Sequence, residues 1–229
     1  MSKRKIKFSN GEYYHIFNRG VDKRDIFIDE EDLERFFQCM DEFNILEPIG
    51  SIYENTFQKA QLGGDAAKLG EKKKEKLVNF ICYCLNPNHY HFILEQVSDN
   101  GIEKFMHRFG GYAWFFNKKY NRSGSLFQGP FKAVHIDSNE QLLHTSVYVN
   151  LNDKVHQLGG VAAKLVKSSY GEYIGNMKNS KDAENSFCKK DIILRQFKNI
   201  KEYKNFAESS LKGIRERKKE FKNTLFLEE

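Results

Sequence analysis

His89 and His91 flank Tyr90 at the head of the run HYHFILEQ, directly after Asn86-Pro87-Asn88. In an extended strand, alternate side chains share a face. His89, His91 and Ile93 therefore point one way, and Tyr90, Phe92 and Leu94 the other. The second set reads as the core face. On the first, two imidazoles stand side by side, either over solvent or converging on a ligand. A second group of interest lies in SNEQLLHTSVYVNLN. On a helix, residues four apart share a face. His144, Tyr148 and Asn152 form one such row, and Leu143, Val147 and Leu151 the adjacent apolar row. Tyr148 then sits at the rim of the core, with an asparagine one turn beyond it.

These residues need elements to position them. GEYYHIFNRG reads as a first strand, alternating around Tyr13, His15 and Phe17. DEEDLERFFQCMDEFNIL is an amphipathic helix, with Leu33, Phe36, Phe37, Met40 and Phe43 at helical spacing. LVNFICYCL is an apolar strand, and the Asn-Pro-Asn turn joins it in a hairpin to the histidine strand. NGIEKFMHRFGGYAWFFNKKY is a second helix, weakened at Gly110-Gly111. FKAVHID is a further short strand. Ser138 and Gln141 have capping-box spacing at the start of a third long helix, the one bearing Tyr148. The order strand, helix, strand, strand, helix, strand, helix predicts an α+β fold. Its centre is a ferredoxin-like antiparallel sheet with helices on one face.

At 229 residues the chain suits one domain with an appendage. The domain is expected over 1–175, and a basic helical C-terminal extension over 176–229. In the extension, Ile200, Tyr203, Phe206, Leu211 and Ile214 could pack one face. QLGGDAAKL at 61–69 and QLGGVAAKL at 157–165 are near-copies. Both read as flexible Gly-Gly surface insertions between elements, near 61–70 and 157–166. The composition is 40% hydrophobic with 20 Phe, 11 Tyr and a single Trp, enough for a sizeable core. A formal charge of +6 suits a nucleic-acid partner without demanding one. The four cysteines form no C-x-x-C pair, so a reduced, cytoplasmic protein is expected. No stretch reads as a signal peptide or membrane span.

Taken together, YYHIFNRG…DIFIDEEDLERFF, NPNHYHF, NKKYNRSGSLFQG, YVNLN and SSYGEYIG resemble the single-tyrosine HUH transposases. Within them, the chain is most similar to the branch called REP-associated tyrosine transposases. The resemblance covers about residues 8–175. It implies that His89 and His91 are the paired histidine ligands of a divalent cation, Mg²⁺ or Mn²⁺. Asn152 completes that metal site, and Tyr148 is the nucleophile. The chain departs from the pattern in two places. Asp153 follows Asn152 where the family usually has proline, and Pro130 follows LFQG where it often has arginine.

The implied chemistry is nicking and strand transfer on single-stranded or hairpin DNA through a 5′-phosphotyrosine. A phenol is almost wholly protonated at neutral pH, so it needs help as a nucleophile. A covalent link conserves the bond energy for later joining. The implied protein is a monomer or a homodimer. Expected DNA contacts are Arg19, Lys23 and Arg24 after the first strand, and Arg108, Lys118, Lys119 and Arg122 among the aromatics of the second helix. Two alternatives are a catalytically silent hairpin-DNA-binding regulator on the same fold, and a phosphoesterase that uses water and leaves Tyr148 idle.

Overall fold

The computed structural model describes residues 6–50, 52, 75–175 and 186–225. Strand β1 (Tyr13–Arg19) leads through a 3-10 turn to α1 (Glu30–Glu42). The hairpin β2 (Val78–Asn86) and β3 (His89–Gln96) follows. Next come α2 (Gly101–Phe109), α3 (Gly111–Lys119), β4 (Lys132–Ile136) and α4 (Asn139–Asn150). The expected second helix is thus broken at Gly110. Short helices α5 (Asn152–Val155) and α6 (Gly160–Lys164) precede β5 (Lys167–Ser168) and α7 (Tyr170–Tyr173). The chain continues with α8 (Asp191–Leu194) and the long α9 (Ile200–Leu225).

The five strands form one antiparallel sheet in the order β4-β1-β3-β2-β5. The first four reproduce the ferredoxin-like order, and the fold class is α+β as expected. β3 lies at the centre with both its edges paired, which fixes the register of its histidines. Tyr14, Ile16, Tyr90, Phe92 and Leu94 bury one face of the sheet among Leu33, Phe36 and Met40 of α1 and Ile102, Phe105, Phe109, Tyr112 and Phe116 of α2 and α3. Helix α1 starts cleanly because Asp29 and Asp32 cap each other's backbone N–H, at 2.9 and 3.4 Å.

The cover extends beyond the single face expected from the sequence. Ile81, Cys82, Cys84, Ile93 and Ile136 build a second core with Val147, Leu151, Val155, Tyr173, Tyr203, Ala207 and Leu211. A register shift between Phe80 and Cys82 sends consecutive residues Ile81 and Cys82 to this second face. His91 projects from this same side and is only 7% exposed. The histidine face is therefore a lidded one, and the alternative of a solvent-facing imidazole fails for His91.

The helix carrying Tyr148 is also shorter than its i, i+4 row implies. It ends at Asn150, and Leu151 adopts φ −113, ψ 23 before α5 begins at Asn152. Buried Asn150 holds this break in place. Its Nδ2 donates to Tyr203 Oη at 3.1 Å, and its Oδ1 accepts from Ser169 Oγ at 2.6 Å. Ser169 Oγ in turn accepts from the backbone N–H of Tyr83 in β2, at 2.9 Å. Ser138 caps α4 by accepting from Gln141 N, while the Gln141 side chain bonds Asp137 N, so only half of the expected capping box forms.

Helix α9 lays Tyr203, Ala207 and Leu211 into the second core, while Ile200 stays 46% exposed. The C-terminal segment is thus packed on the sheet's helical cover. The repeat copy at 61–69 lies outside the described residues. The copy at 157–165 runs from Gln157 through Gly160, both at positive φ, into α6. All four cysteines are buried free thiols. Among the described residues, no helix is long and apolar enough to cross a membrane.

Candidate functional site

His89 sits at the first position of β3, paired across the hairpin with Asn86. Its Nδ1 lies 2.6 Å from Asn88 Oδ1, an oxygen that can only accept, so Nδ1 carries the proton and Nε2 keeps its lone pair. Nε2 is 2.9 Å from Asn152 Oδ1, a second acceptor. Asn86 Nδ2 reaches both, donating to Asn152 Oδ1 at 2.8 Å and lying 2.9 Å from His89 Nε2. Asn152 is fully buried, and its own Nδ2 has no hydrogen-bond partner among the described residues. The asparagine is therefore oriented at the expense of its donor, which keeps its oxygen turned toward the imidazole.

His91 lies two residues along the same face, with ring centroids 5.3 Å from His89. Its Nδ1 is 2.9 Å from His15 Nε2, a contact across the β1–β3 pair. The His15 ring stacks on Phe17 at 4.8 Å and on His91 at 5.1 Å. Tyr148 meets this pair edge-on, with centroids 5.5 Å from His91 and 6.0 Å from His15. His156, four residues past Asn152, closes the other side at 4.9 Å from His89.

Burial is the first cause of a lowered pKa at all four imidazoles. His15 and His156 fall to about 4, His89 is lowered, and His91 is pushed well down, further opposed by its histidine neighbours. At neutral pH these rings are uncharged and free to offer lone pairs.

The arrangement suits a divalent cation of N,N,O preference. Two neighbouring ligands at about 2.1 Å in an octahedral shell stand roughly 3 Å apart, which matches the separation of His89 Nε2 and Asn152 Oδ1. His91 would offer Nε2 while its Nδ1–H donates to His15, the outer-shell support that ligating imidazoles use. Among the described residues, no group of three or more His, Cys, Asp or Glu side chains is arranged to hold a metal ion. The set here is smaller, two imidazoles and an amide. A soft-ligand cage is thereby disfavoured relative to Mg²⁺ or Mn²⁺ with open positions.

Beside these groups opens a pocket of about 570 Å³ lined by Arg19, Lys23, His89, His91, Lys132 and His156, with no acidic side chain among the described residues of its wall. The loop that carries the first two cations is tied to the histidine hairpin. Gly20 N donates to Asn88 O at 2.8 Å, and Ile26 N to Pro87 O at 2.6 Å. A Cβ at Gly20 would come 2.0 Å from the Arg24 carbonyl oxygen, so this tight return requires glycine. Arg19 Nε donates to Gln128 Oε1, which steadies the guanidinium at the pocket edge.

Of the candidate site residues, His89, His91, Asn152 and Tyr148 converge, with Arg19 and Lys23 nearby. Arg24 is exposed and paired with Asp22 at 3.9 Å. The other four cations belong to α2, α3 and the turn after them, which pack the opposite face of the sheet. Arg108 donates to the backbone oxygens of Phe43, Ile45 and Leu46. Lys119 is bound by Asp29, Glu31 and Asp32 at 2.8 to 3.0 Å. Lys118 lies over the Trp114 ring and Arg122 over Phe116. Arg108 and Lys119 are engaged in holding the fold. His15, Asn86, Lys132 and His156 were not singled out from the sequence. His156 continues the row of Tyr148 and Asn152 by four more residues, and that spacing was the available signal.

No protein-family model and no curated protein matches the chain. A solved structure does: a REP-associated tyrosine transposase bound to a REP hairpin, with TM-score 0.50 and 11% identity over 76% of this chain and 86% of that one. The chain has the HUH-type fold. At this identity the likeness is one of fold, and what the chain does rests on its own residues.

Proposed function

We propose that the protein nicks and transfers single-stranded or hairpin DNA through a covalent tyrosine intermediate, as a REP-associated tyrosine transposase would. The observation that carries this reading is the convergence of His89 Nε2 and Asn152 Oδ1, 2.9 Å apart, with Tyr148 packed edge-on to His91. The solved structure of the same fold, a transposase bound to a hairpin, supports it.

His89, His91 and Asn152 would hold Mg²⁺ or Mn²⁺, and the bound ion would polarise the scissile phosphate and offset the charge of the transition state. Tyr148 Oη attacks the phosphorus. The bond to the 3′ oxygen breaks, that oxygen takes a proton, and the 5′ phosphate stays on the tyrosine. Asn86 and Asn88 fix the His89 tautomer, and His15 does the same for His91. The basic pocket wall of Arg19, Lys23 and Lys132 neutralises phosphates beside the cut.

The test is incubation with labelled hairpin DNA and Mn²⁺, scored for an SDS-stable adduct. Wild type should form it, and Tyr148→Phe should bind DNA without forming it. Peptide mapping should locate the nucleotide on Tyr148. Binding without any adduct in the wild type would instead favour the silent regulator. Cutting that persists in Tyr148→Phe would overturn the tyrosine mechanism.

A further inference from the structure

Helix α9 carries an apolar stripe, Tyr203, Ala207, Leu211 and Ile214, that packs into or against the second core. One residue later the same side of the helix turns basic. Arg215 Nε and Nη2 donate to the Lys154 carbonyl oxygen at 3.1 and 2.6 Å, clamping the helix to the end of α5. One turn further, Lys218 Nζ lies 3.2 Å from His156 Nδ1. An ammonium can only donate. His156 therefore accepts at Nδ1 and carries its proton on Nε2.

Between these groups lies a second pocket of about 360 Å³, lined by Val155, His156, Gln157, Arg215, Glu216, Lys218 and Lys219. Among its described lining residues the one acidic side chain, Glu216, lies 4.0 Å from Lys212 one turn back along the helix. His156 lines both this pocket and the larger one beside His89. The two spaces are thus neighbours across a single imidazole. Arg19, Lys23 and Lys132 stand on one side, and Arg215, Lys218 and Lys219 on the other.

We infer that the Arg215–Lys219 stretch of α9 forms the far wall of a single-strand groove, in which Lys218 and Lys219 neutralise backbone phosphates of the strand beyond His156. This rests on the proposed function and extends it to the C-terminal segment. The chemistry fits a polyanion with regularly spaced phosphates. Ammonium groups on exposed stems attract charge without reading bases, so the binding they add is independent of sequence. Lys218 anchored on His156 keeps one of these cations at the rim.

The experiment uses the full chain with Tyr148→Phe, so that binding is read without cleavage. Single-stranded oligonucleotide affinity is measured by anisotropy over a salt series. For a single strand, each phosphate that the protein neutralises adds about 0.7 to the slope of log affinity against log salt. The Lys218→Ala, Lys219→Ala pair should therefore flatten the slope by roughly 1.4. Lys201→Ala, at the far end of the same helix, should leave it unchanged. Shortening the oligonucleotide from one end should abolish the difference between the pair variant and its parent. A parent that binds with a steep slope, and a pair variant that keeps that slope, would overturn the inference while leaving the proposed function intact. A parent with no salt-dependent binding at all would instead sink the proposed function.

Discussion

His15→Phe isolates the support of one candidate ligand. The substitution keeps a flat ring, so stacking on Phe17 at 4.8 Å and the edge-on packing against Tyr148 at 6.0 Å should persist. What disappears is the acceptor 2.9 Å from His91 Nδ1. His91 then lacks the bond that fixes its tautomer, and the form protonated on Nε2 competes with the form able to ligate. Removing such an outer partner costs roughly 10- to 100-fold in metal affinity, or about 1.4 to 2.7 kcal/mol. Folding stability should fall by about 1–3 kcal/mol, because the buried His91 N–H is left without its acceptor. For a chain of this length each kcal/mol is a melting shift of about 2–4 °C. The assay is titration of the metal-free protein with Mn²⁺, reading free ion by electron paramagnetic resonance beside a thermal melt. His15→Gln, which can accept from His91, should recover part of the affinity. If His15→Phe binds Mn²⁺ within twofold of wild type while well folded, His15 does not orient His91 and the reasoning is refuted.

Two further outcomes concern the fold that carries the site. Asn150→Ala removes the shared partner of Tyr203 Oη and Ser169 Oγ, both in a buried cluster, and should cost about 2–4 kcal/mol. Urea unfolding with an unchanged m-value would register it, and a cost under about 1 kcal/mol would show that the network is not holding the α4–α5 break. Bonding to Lys119 is the main cause that holds the Asp29 carboxyl below its usual range, with burial opposing and the Asp32 backbone assisting. Its folded pKa is depressed, so the unfolded chain binds the proton first and stability is lost as pH falls below the ordinary aspartate value of about 3.9. Asp29→Asn should flatten that acid limb of the stability curve, and an unchanged limb would argue against the Asp29–Lys119 pair.

How far the sequence carried the structure depended on whether the signal was local. Period-2 alternation set the faces of β1 and β3 correctly, because each face is defined by its own strand. The sheet order followed from the element order and the hairpin turn. The second core was less legible. Cys82 and Cys84 look like any apolar strand residues, and nothing local announces that Ile81 and Cys82 share a side at a bulge. β5, two residues long, carries no pattern. The candidate site shows the same divide. His89, His91, Tyr148 and Asn152 stand out as motif residues, but His15 belongs to the site only through β1–β3 registry. Asn86 belongs only through a hairpin that folds it against Asn152. The surroundings of the cations were illegible for a physical reason. Arg108 and Lys119 stand among aromatics at a helix surface, and sequence does not reveal that backbone carbonyls and a carboxylate cluster at the start of α1 already claim them.

The place of Tyr203, Ala207 and Leu211 in the second core has a consequence for the order in which the molecule becomes competent. Proteins fold from the N-terminus as they leave the ribosome, and four of the five strands, with most of the first helical layer, are made by the end of β4. The tyrosine helix is different. Its buried side rests in part on residues made more than fifty positions later, and Asn150 waits for the Tyr203 hydroxyl. A nascent chain therefore presents four paired strands with the histidines in register while the outer cover of the tyrosine helix is still missing. Any nicking activity would switch on late in synthesis. A stalled or prematurely ended product lacking α9 would carry every motif residue with the cover of the second core left incomplete.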